Sequence, residues 1–563
     1  MQGSAPLWLL ALLGCPGEAT KDGVPGDTSP PPDTAPVETG ESGGDSAETG
    51  DSAPGDSGET GGTVDTADSA DTGDSAVVVE EICNNGIDDD GDGTSNGCAW
   101  SGDYVIDDVA GIIGPENAGD KIGASLAALG DLDGDGFDDF AVGAPRYDPD
   151  AADIDARGAI YIVRGSASGV PVNLADAWTR IEGDNAEANL GLYISAAGDV
   201  DGDGRVDLLA YTTDRAADGS TASYLITAID DAVVSTDAAT AVFVSSNPDD
   251  RTGDGPGGGD LTGDGAVDVA VSVGRESDDL IAICDGAGSG ERDPTECGTL
   301  VGYGETVDGS AVDIARDLNG DGVADLLVAS PRDCRESAGC TQSSAPNGAA
   351  YVFSGPLLGM VAYSDAALTL IGEGHGDAVT YSDETEPALC ALDDENGDGY
   401  ADIALGAYYW DAAHANGQWY GVVYVVNGPA SGAMSLDLAP KRIEGATYVD
   451  GVGVQVASPG DMDRDGFADL AFSARGSRVD AAASSVLLAH GPIPSGTTAV
   501  VDAEFRADTS GSGYTDPGRG LLAAGDFDGD DTPDLLVSDY LFAPDRTADV
   551  YDGRLWLIAG RGF

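Results

Sequence analysis

The chain has 563 residues, with 102 Asp and Glu against 24 Lys and Arg, giving a formal net charge of −78 at pH 7. Phosphate contact needs basic patches, so this balance excludes nucleic acid as a partner. For the same reason it argues against direct docking on anionic lipid headgroups.

The first element is the apolar run Leu7-Trp-Leu-Leu-Ala-Leu-Leu13, too short to span a bilayer but long enough for the core of a secretory signal. It leads into Leu12-Leu-Gly-Cys15, which resembles a bacterial lipoprotein cleavage box with Cys15 as the lipidated residue. No Lys or Arg precedes the run, and the alternative is an ordinary signal peptide removed together with Cys15. Residues 1–15 are thus expected to direct export to the cell envelope or surface, with the membrane met only through a lipid anchor, or else secretion. Residues 16–79 are almost all Gly, Ser, Thr, Pro, Asp, Glu and Ala, with Lys21 as the single basic residue, and such a stretch is expected to remain a disordered tether.

Residues 80–100 form a small motif. Asp88, Asp90, Asp92 and Asn96 sit at alternating positions between Cys83 and Cys98, which could close the segment as a disulfide. The same spacing of oxygen side chains then recurs seven times across residues 101–563, at intervals of 57 to 77 residues. The first copy reads Asp131-Leu-Asp133-Gly-Asp135-Gly-Phe-Asp-Asp139. Its positions 1, 3, 5 and 9 recur as Asp199, Asp201, Asp203 and Asp207, as Asp260, Thr262, Asp264 and Asp268, and as Asp317, Asn319, Asp321 and Asp325. They recur again as Asp394, Asn396, Asp398 and Asp402, as Asp461, Asp463, Asp465 and Asp469, and as Asp526, Asp528, Asp530 and Asp534.

Such alternation wraps several oxygens around one point, which suits a hard cation wanting 6–8 oxygen ligands, and Gly at position 6 permits the sharp turn. Without a cation, two carboxylates about 4 Å apart repel by about 4 kcal/mol at an effective dielectric near 20. The loops are therefore expected to bind about seven calcium ions, with an eighth at residues 88–96. Magnesium, with its strict octahedron, fits less well. Thr262 should make the third site the weakest, and Asp531 replaces the turn Gly in the seventh.

An apolar run precedes each loop and another follows it, as in Phe140-Ala-Val-Gly-Ala-Pro145. A third run is rich in β-branched and aromatic residues, as in Val422-Val-Tyr-Val-Val426, and a fourth ends in a signature such as Arg180-Ile-Glu-Gly183. Four short strands per unit with radial repetition predict an all-β, seven-bladed β-propeller. The last unit stops after its third strand, and residues 103–114 look like the missing fourth, so the N-terminal strand is expected to complete the seventh blade and remove the exposed sheet edge.

The pattern Ile122-Gly…Gly143-Ala-Pro145 around a calcium loop, and Asp317…Ala329-Ser-Pro331, resembles the FG-GAP repeats of integrin α-subunits. Blade 3 departs from it, with Val271-Ser-Val273 in place of Gly-Ala-Pro. The resemblance implies calcium on one face, ligand-contacting loops on the other, and a role in adhesion or recognition of a surface protein or glycan. Obligate pairing with a β-subunit is not implied.

Cys284/Cys297 and Cys334/Cys340 are close pairs consistent with disulfides in an oxidising compartment, leaving Cys390 over. His375, His414 and His490 fall in different repeats without a metal-ligand spacing, and no nucleophile elbow, phosphate loop or dinucleotide fingerprint occurs, so no catalysis is expected. A carboxylate pair in the central channel would be the exception. The richest candidate contact loop carries Tyr408, Tyr409, Trp410, Trp419 and Tyr420 in a chain with 6% aromatics. Rigid aromatics favour binding hot spots and also stack on sugars, the alternative being that they pack on blade 4 or plug the channel. The Pro331–Gly348 insertion, which a Cys334–Cys340 disulfide would staple, is a second candidate.

Overall fold

The computed structural model describes residues 100–560, apart from segments 150–155, 214–220, 228, 230–233, 248–249, 254–256, 275–278, 303–310, 316, 334–345, 375–376, 381–387, 412–419, 446–450, 476–483, 499–500, 509–515, 519–521 and 545–550. The expectations for Cys15, the tether at 16–79, the motif at Asp88, Asp90, Asp92 and Asn96, the pairs Cys83/Cys98 and Cys334/Cys340, and Trp419 lie outside the described residues. Everything below concerns the compact unit Val77–Phe563.

The strands assemble into seven separate sheets, the blades of a β-propeller. Blade 1 is typical, with Leu126–Gly130, Asp139–Ala144, Ala159–Val163 and Thr179–Glu182 pairing antiparallel in sequence order. Most second and third strands are buried along their whole length, without the alternation of a half-exposed sheet. The cause is that each blade is covered on both faces by its neighbours. One apolar cluster joins Val142 and Tyr161 of blade 1 to Leu536 and Leu555 of blade 7, and another joins Ile160 and Ile181 of blade 1 to Leu208 and Tyr224 of blade 2. Five further clusters continue the series to blades 6 and 7. Each fully buried Val, Leu, Ile or Phe contributes about 1.5–3 kcal/mol. The first strands touch one another in turn, and that of blade 7 (Leu522–Gly525) touches that of blade 1, so the ring is closed.

Close approach between blades explains the glycine of the Gly-Ala-Pro element. A Cβ on Gly143 would lie 2.0 Å from the carbonyl oxygen of Gly191 in the next repeat, and one on Gly406 would lie 2.2 Å from that of Gly453.

Closure uses the N-terminal segment. Gly111–Ile113 pairs antiparallel with Arg554–Ile558 as the fourth strand of blade 7. The segment before it adds something the sequence reading did not separate: Gly102–Val105 crosses to blade 6 and pairs in parallel with Ala503–Arg506. This is the rule of the ring. The stretch leading into one blade's fourth strand lies in parallel on the preceding blade's fourth strand, as Gly290–Arg292 does on Ala241–Phe243 and Gly432–Ser435 on Leu368–Ile371. An otherwise open sheet edge is covered each time. Ile106 and Ile113, both fully buried, anchor the clasp. Among the described residues no helix is long and apolar enough to cross a membrane.

Candidate functional site: the acidic loops of one face

All seven acidic loops join the first and second strands of their blades and so project from the same end. Their internal geometry is repeated. In blade 1 the Asp131 carboxylate accepts hydrogen bonds from the backbone N–H groups of Gly134, Asp135 and Gly136 at 2.8, 2.9 and 2.9 Å. Asp199, Asp317, Asp394 and Asp526 do the same in their loops. Asp260 and Asp461 keep the bonds from positions 5 and 6. The turn residue at position 6 has positive φ throughout, including 63° at Asp531, which takes the left-handed conformation in place of glycine.

Position 9 has a different task. Asp139 opens the second strand, is fully buried, and accepts from the N–H of Leu132 within the loop and from that of Gly165 after the third strand, both at 3.0 Å. Asp325, Asp402, Asp469 and Asp534 are tied in the same two ways. In blades 2 and 3, Asp207 and Asp268 keep the loop bond. This carboxylate staples the loop to the blade.

Burial drives its pKa up, and the acids beside it push the same way. Asp139, Asp207, Asp325 and Asp402 are raised to about 6 and Asp534 to about 8, with backbone hydrogen bonds opposing. Three carboxylates converge in loop 1 (Asp131, Asp133, Asp139), loop 2 (Asp199, Asp201, Asp203), loop 6 (Asp461, Asp463, Asp465) and loop 7 (Asp526, Asp528, Asp534), each set with oxygens within 4.8 Å of one another. An all-oxygen donor set, crowded by like charge and held by backbone amides, fits a divalent hard cation. Loops 4 and 5 replace one acid by an amide, and Asn319 and Asn396 donate through Nδ2 to Asp325 and Asp402. In loop 3, Thr262 donates its backbone N–H to Asp268 at 2.8 Å. The other loop acids, Asp264, Asp321, Asp398, Asp530 and Asp135, accept from the N–H of position 7.

Two residues at these loops escaped the sequence reading. The residue after each third strand stands in register with the position-9 carboxylate. In blade 1 it is Arg164, which pairs with Asp133 at 2.9 Å. In blade 6 it is His490, whose Nδ1 lies 3.4 Å from Asp463 and 3.2 Å from Asp469. The neighbouring carboxylates raise its pKa to about 9 against the opposing effect of burial. Strand register, which brings residues some 20 apart together, was the signal to use.

The aromatic loop of blade 5 is placed differently from the contact reading. Tyr408 and Trp410 are only 2% and 5% exposed, and Trp410 belongs to the cluster between blades 4 and 5. Its indole N–H and the Tyr424 hydroxyl both donate to Glu373, which also holds Arg442 at 2.8 Å. Tyr408 carries Arg475 over its ring at 4.9 Å. For these two rings packing is the role observed, because neither presents a face to solvent. Tyr409 and Tyr420 are partly exposed. Cys284 and Cys297 form a disulfide as expected, and Cys390 is half-buried in the first strand of blade 5.

Residues 123–163 and 309–353 match the family described as the FG-GAP repeat. Integrin alpha-PS2 of Drosophila melanogaster is 36% identical over 100 residues, 17% of this chain and 7% of that protein. Integrin alpha-5 of Xenopus laevis is 37% identical over 90 residues, 16% of this chain and 8% of that one. The matched stretch therefore spans less than a tenth of these relatives' own length. Among solved structures, the Dos1 propeller superposes with a TM-score of 0.37 at 11% identity, covering 84% of this chain and 98% of that one. The chain carries FG-GAP repeats like those of integrin α-subunits, set in a seven-bladed β-propeller.

Proposed function

We propose that this is an exported recognition module of the cell surface, stabilised by calcium on one face of the propeller and contacting a surface-protein ligand with the loops of the other. One contrast carries the reading. Loops joining first to second strands are nearly constant, 8 residues between Gly130 and Asp139 and 9 between Leu392 and Asp402. Loops joining second to third strands, at the opposite end of each blade, run from 4 residues between Gly274 and Asp279 to 18 between Ser330 and Ala349. A rigid scaffold with one invariant face and one freely varied face is the arrangement that places binding on the varied loops. Calcium is structural in this reading: it neutralises the crowded acids and fixes the loop that begins each second strand. Cys15 would tether the propeller through the 16–79 segment.

The test is to probe arrays of extracellular protein domains and of glycans with the calcium-loaded chain. Saturable binding to protein domains is the expected result. Binding to glycans alone, lost on replacing Tyr409 and Tyr420, would favour a lectin-like module, and no binding on either array would leave a purely structural surface component.

A further inference from the structure

We infer that the blade-6 loop is a mixed nitrogen–oxygen site for a divalent transition ion of the zinc class, with His490, Asp463 and Asp469 as protein ligands. In the other blades the residue in register with position 9 is Arg164, Asp285, Asn427 or a small residue, so among the described residues only blade 6 brings an imidazole to its loop.

Three observations carry this. Nδ1 of His490, one oxygen of Asp463 and one of Asp469 all lie within 4.8 Å of one another, with the nitrogen 3.4 and 3.2 Å from the two oxygens. Ligands about 2.1 Å from a tetrahedral zinc stand about 3.4 Å apart, so the donors already have the separation of a coordination edge. Second, Nδ1 is buried and aimed at both carboxylates, whose side chains are 12% and 0% exposed. Third, Nε2 lies 3.0 Å from the carbonyl oxygen of Trp100. A carbonyl accepts only, so Nε2 carries a hydrogen and Nδ1 is the ring atom left facing the two carboxylates, the position from which it would ligate a metal. Metal-bound histidines have this construction, with the far nitrogen donating to a backbone carbonyl that fixes tautomer and ring plane. Imidazole suits zinc and its neighbours, whereas calcium takes oxygen. The rival is an imidazolium with its Nδ1 proton in the metal's place, in which case His490 adds nothing to zinc affinity. Trp100 precedes Gly102–Val105, so the metal would also pin the segment that clasps blade 6.

The blade-6 loop would hold zinc in preference to calcium while the other six loops keep calcium, and one experiment separates the two readings. The full chain, saturated with calcium, is titrated with zinc against a competing chelator, and both metals are counted in the same samples. The expected result is one zinc held at least about tenfold more tightly than by His490→Ala, with the calcium of the other six loops equal in the two chains. Equal zinc affinity in parent and variant overturns the proposal. Because the variant could misfold, a second measurement uses the chain with His375→Ala and His414→Ala, in which His490 is the only histidine. One equivalent of copper(II) added to that chain should show imidazole nitrogen modulation in pulsed electron paramagnetic resonance. Its absence refutes the ligand assignment. Loops that took no calcium while His490-dependent zinc binding persisted would sink the calcium reading and leave this one intact.

Discussion

Asp139→Ala should damage the propeller whether or not calcium is present, and Asp135→Ala only when it is. Asp139 is fully buried and accepts from the N–H groups of Leu132 and Gly165. Truncation leaves two buried donors unsatisfied, at about 1–3 kcal/mol each, so the loss should be about 2–6 kcal/mol. Asp139→Asn keeps one acceptor oxygen and should lose about half as much. Asp135, at the loop tip, accepts only from Phe137 within its own loop, so removing it costs cation affinity and little else. Urea unfolding of the three variants, with excess calcium and again after stripping divalent ions, reads both effects. If Asp139→Ala and the parent unfold alike without metal, the staple assigned to position 9 does not exist. If Asp135→Ala loses as much stability without calcium as with it, the division of labour within the loop is wrong.

Three further expectations follow from the same structure. Gly143→Ala places a methyl 2.0 Å from the Gly191 carbonyl oxygen, forces blades 1 and 2 apart and should lower the urea midpoint clearly; a midpoint unchanged from the parent would refute the close approach. Deleting residues 1–113 removes Gly111–Ile113 from blade 7 and Gly102–Val105 from blade 6, and should expose two sheet edges and cause concentration-dependent association, whereas deleting 1–99 should not; light scattering distinguishes them. In metal-free protein, folded-state carboxyls at about 6, and at about 8 for Asp534, stand above the ordinary carboxylate value near 4, so the native state binds more protons than the unfolded chain. Their contribution is full below about pH 4 and is lost as pH rises through 6 and then 8. Urea midpoints measured in high salt, which screens the general repulsion of the −78 charge, should fall from pH 4.5 to 7.5 without metal and stay level with calcium; a rise without metal would reverse the sign argued here.

The loops, the blades and the closing strand were legible because each is local or periodic: nine-residue motifs, short apolar runs and a terminal strand missing from the last repeat. What resisted depends on contacts made across blades. Trp410 reads as a contact residue beside Tyr408 and Tyr409, yet its indole partner Glu373 lies 37 residues earlier, and its cation Arg442 comes from the fourth strand of the same blade. His490 shows no ligand spacing along the chain because register, not sequence proximity, sets it against Asp469. The N-terminal segment read as one strand divides between two blades because Ile106–Val109 forms a short turn of helix between them.

The central claim is that the repeated acidic loops hold calcium. Counting bound calcium by isotope dialysis, on the parent and on variants with position 5 replaced by Ala one loop at a time, tests it directly. Several ions per chain, with one lost for each loop altered and the weakest site at Thr262, is the result expected. No calcium bound at millimolar concentration, or a count indifferent to every loop substitution, would contradict it.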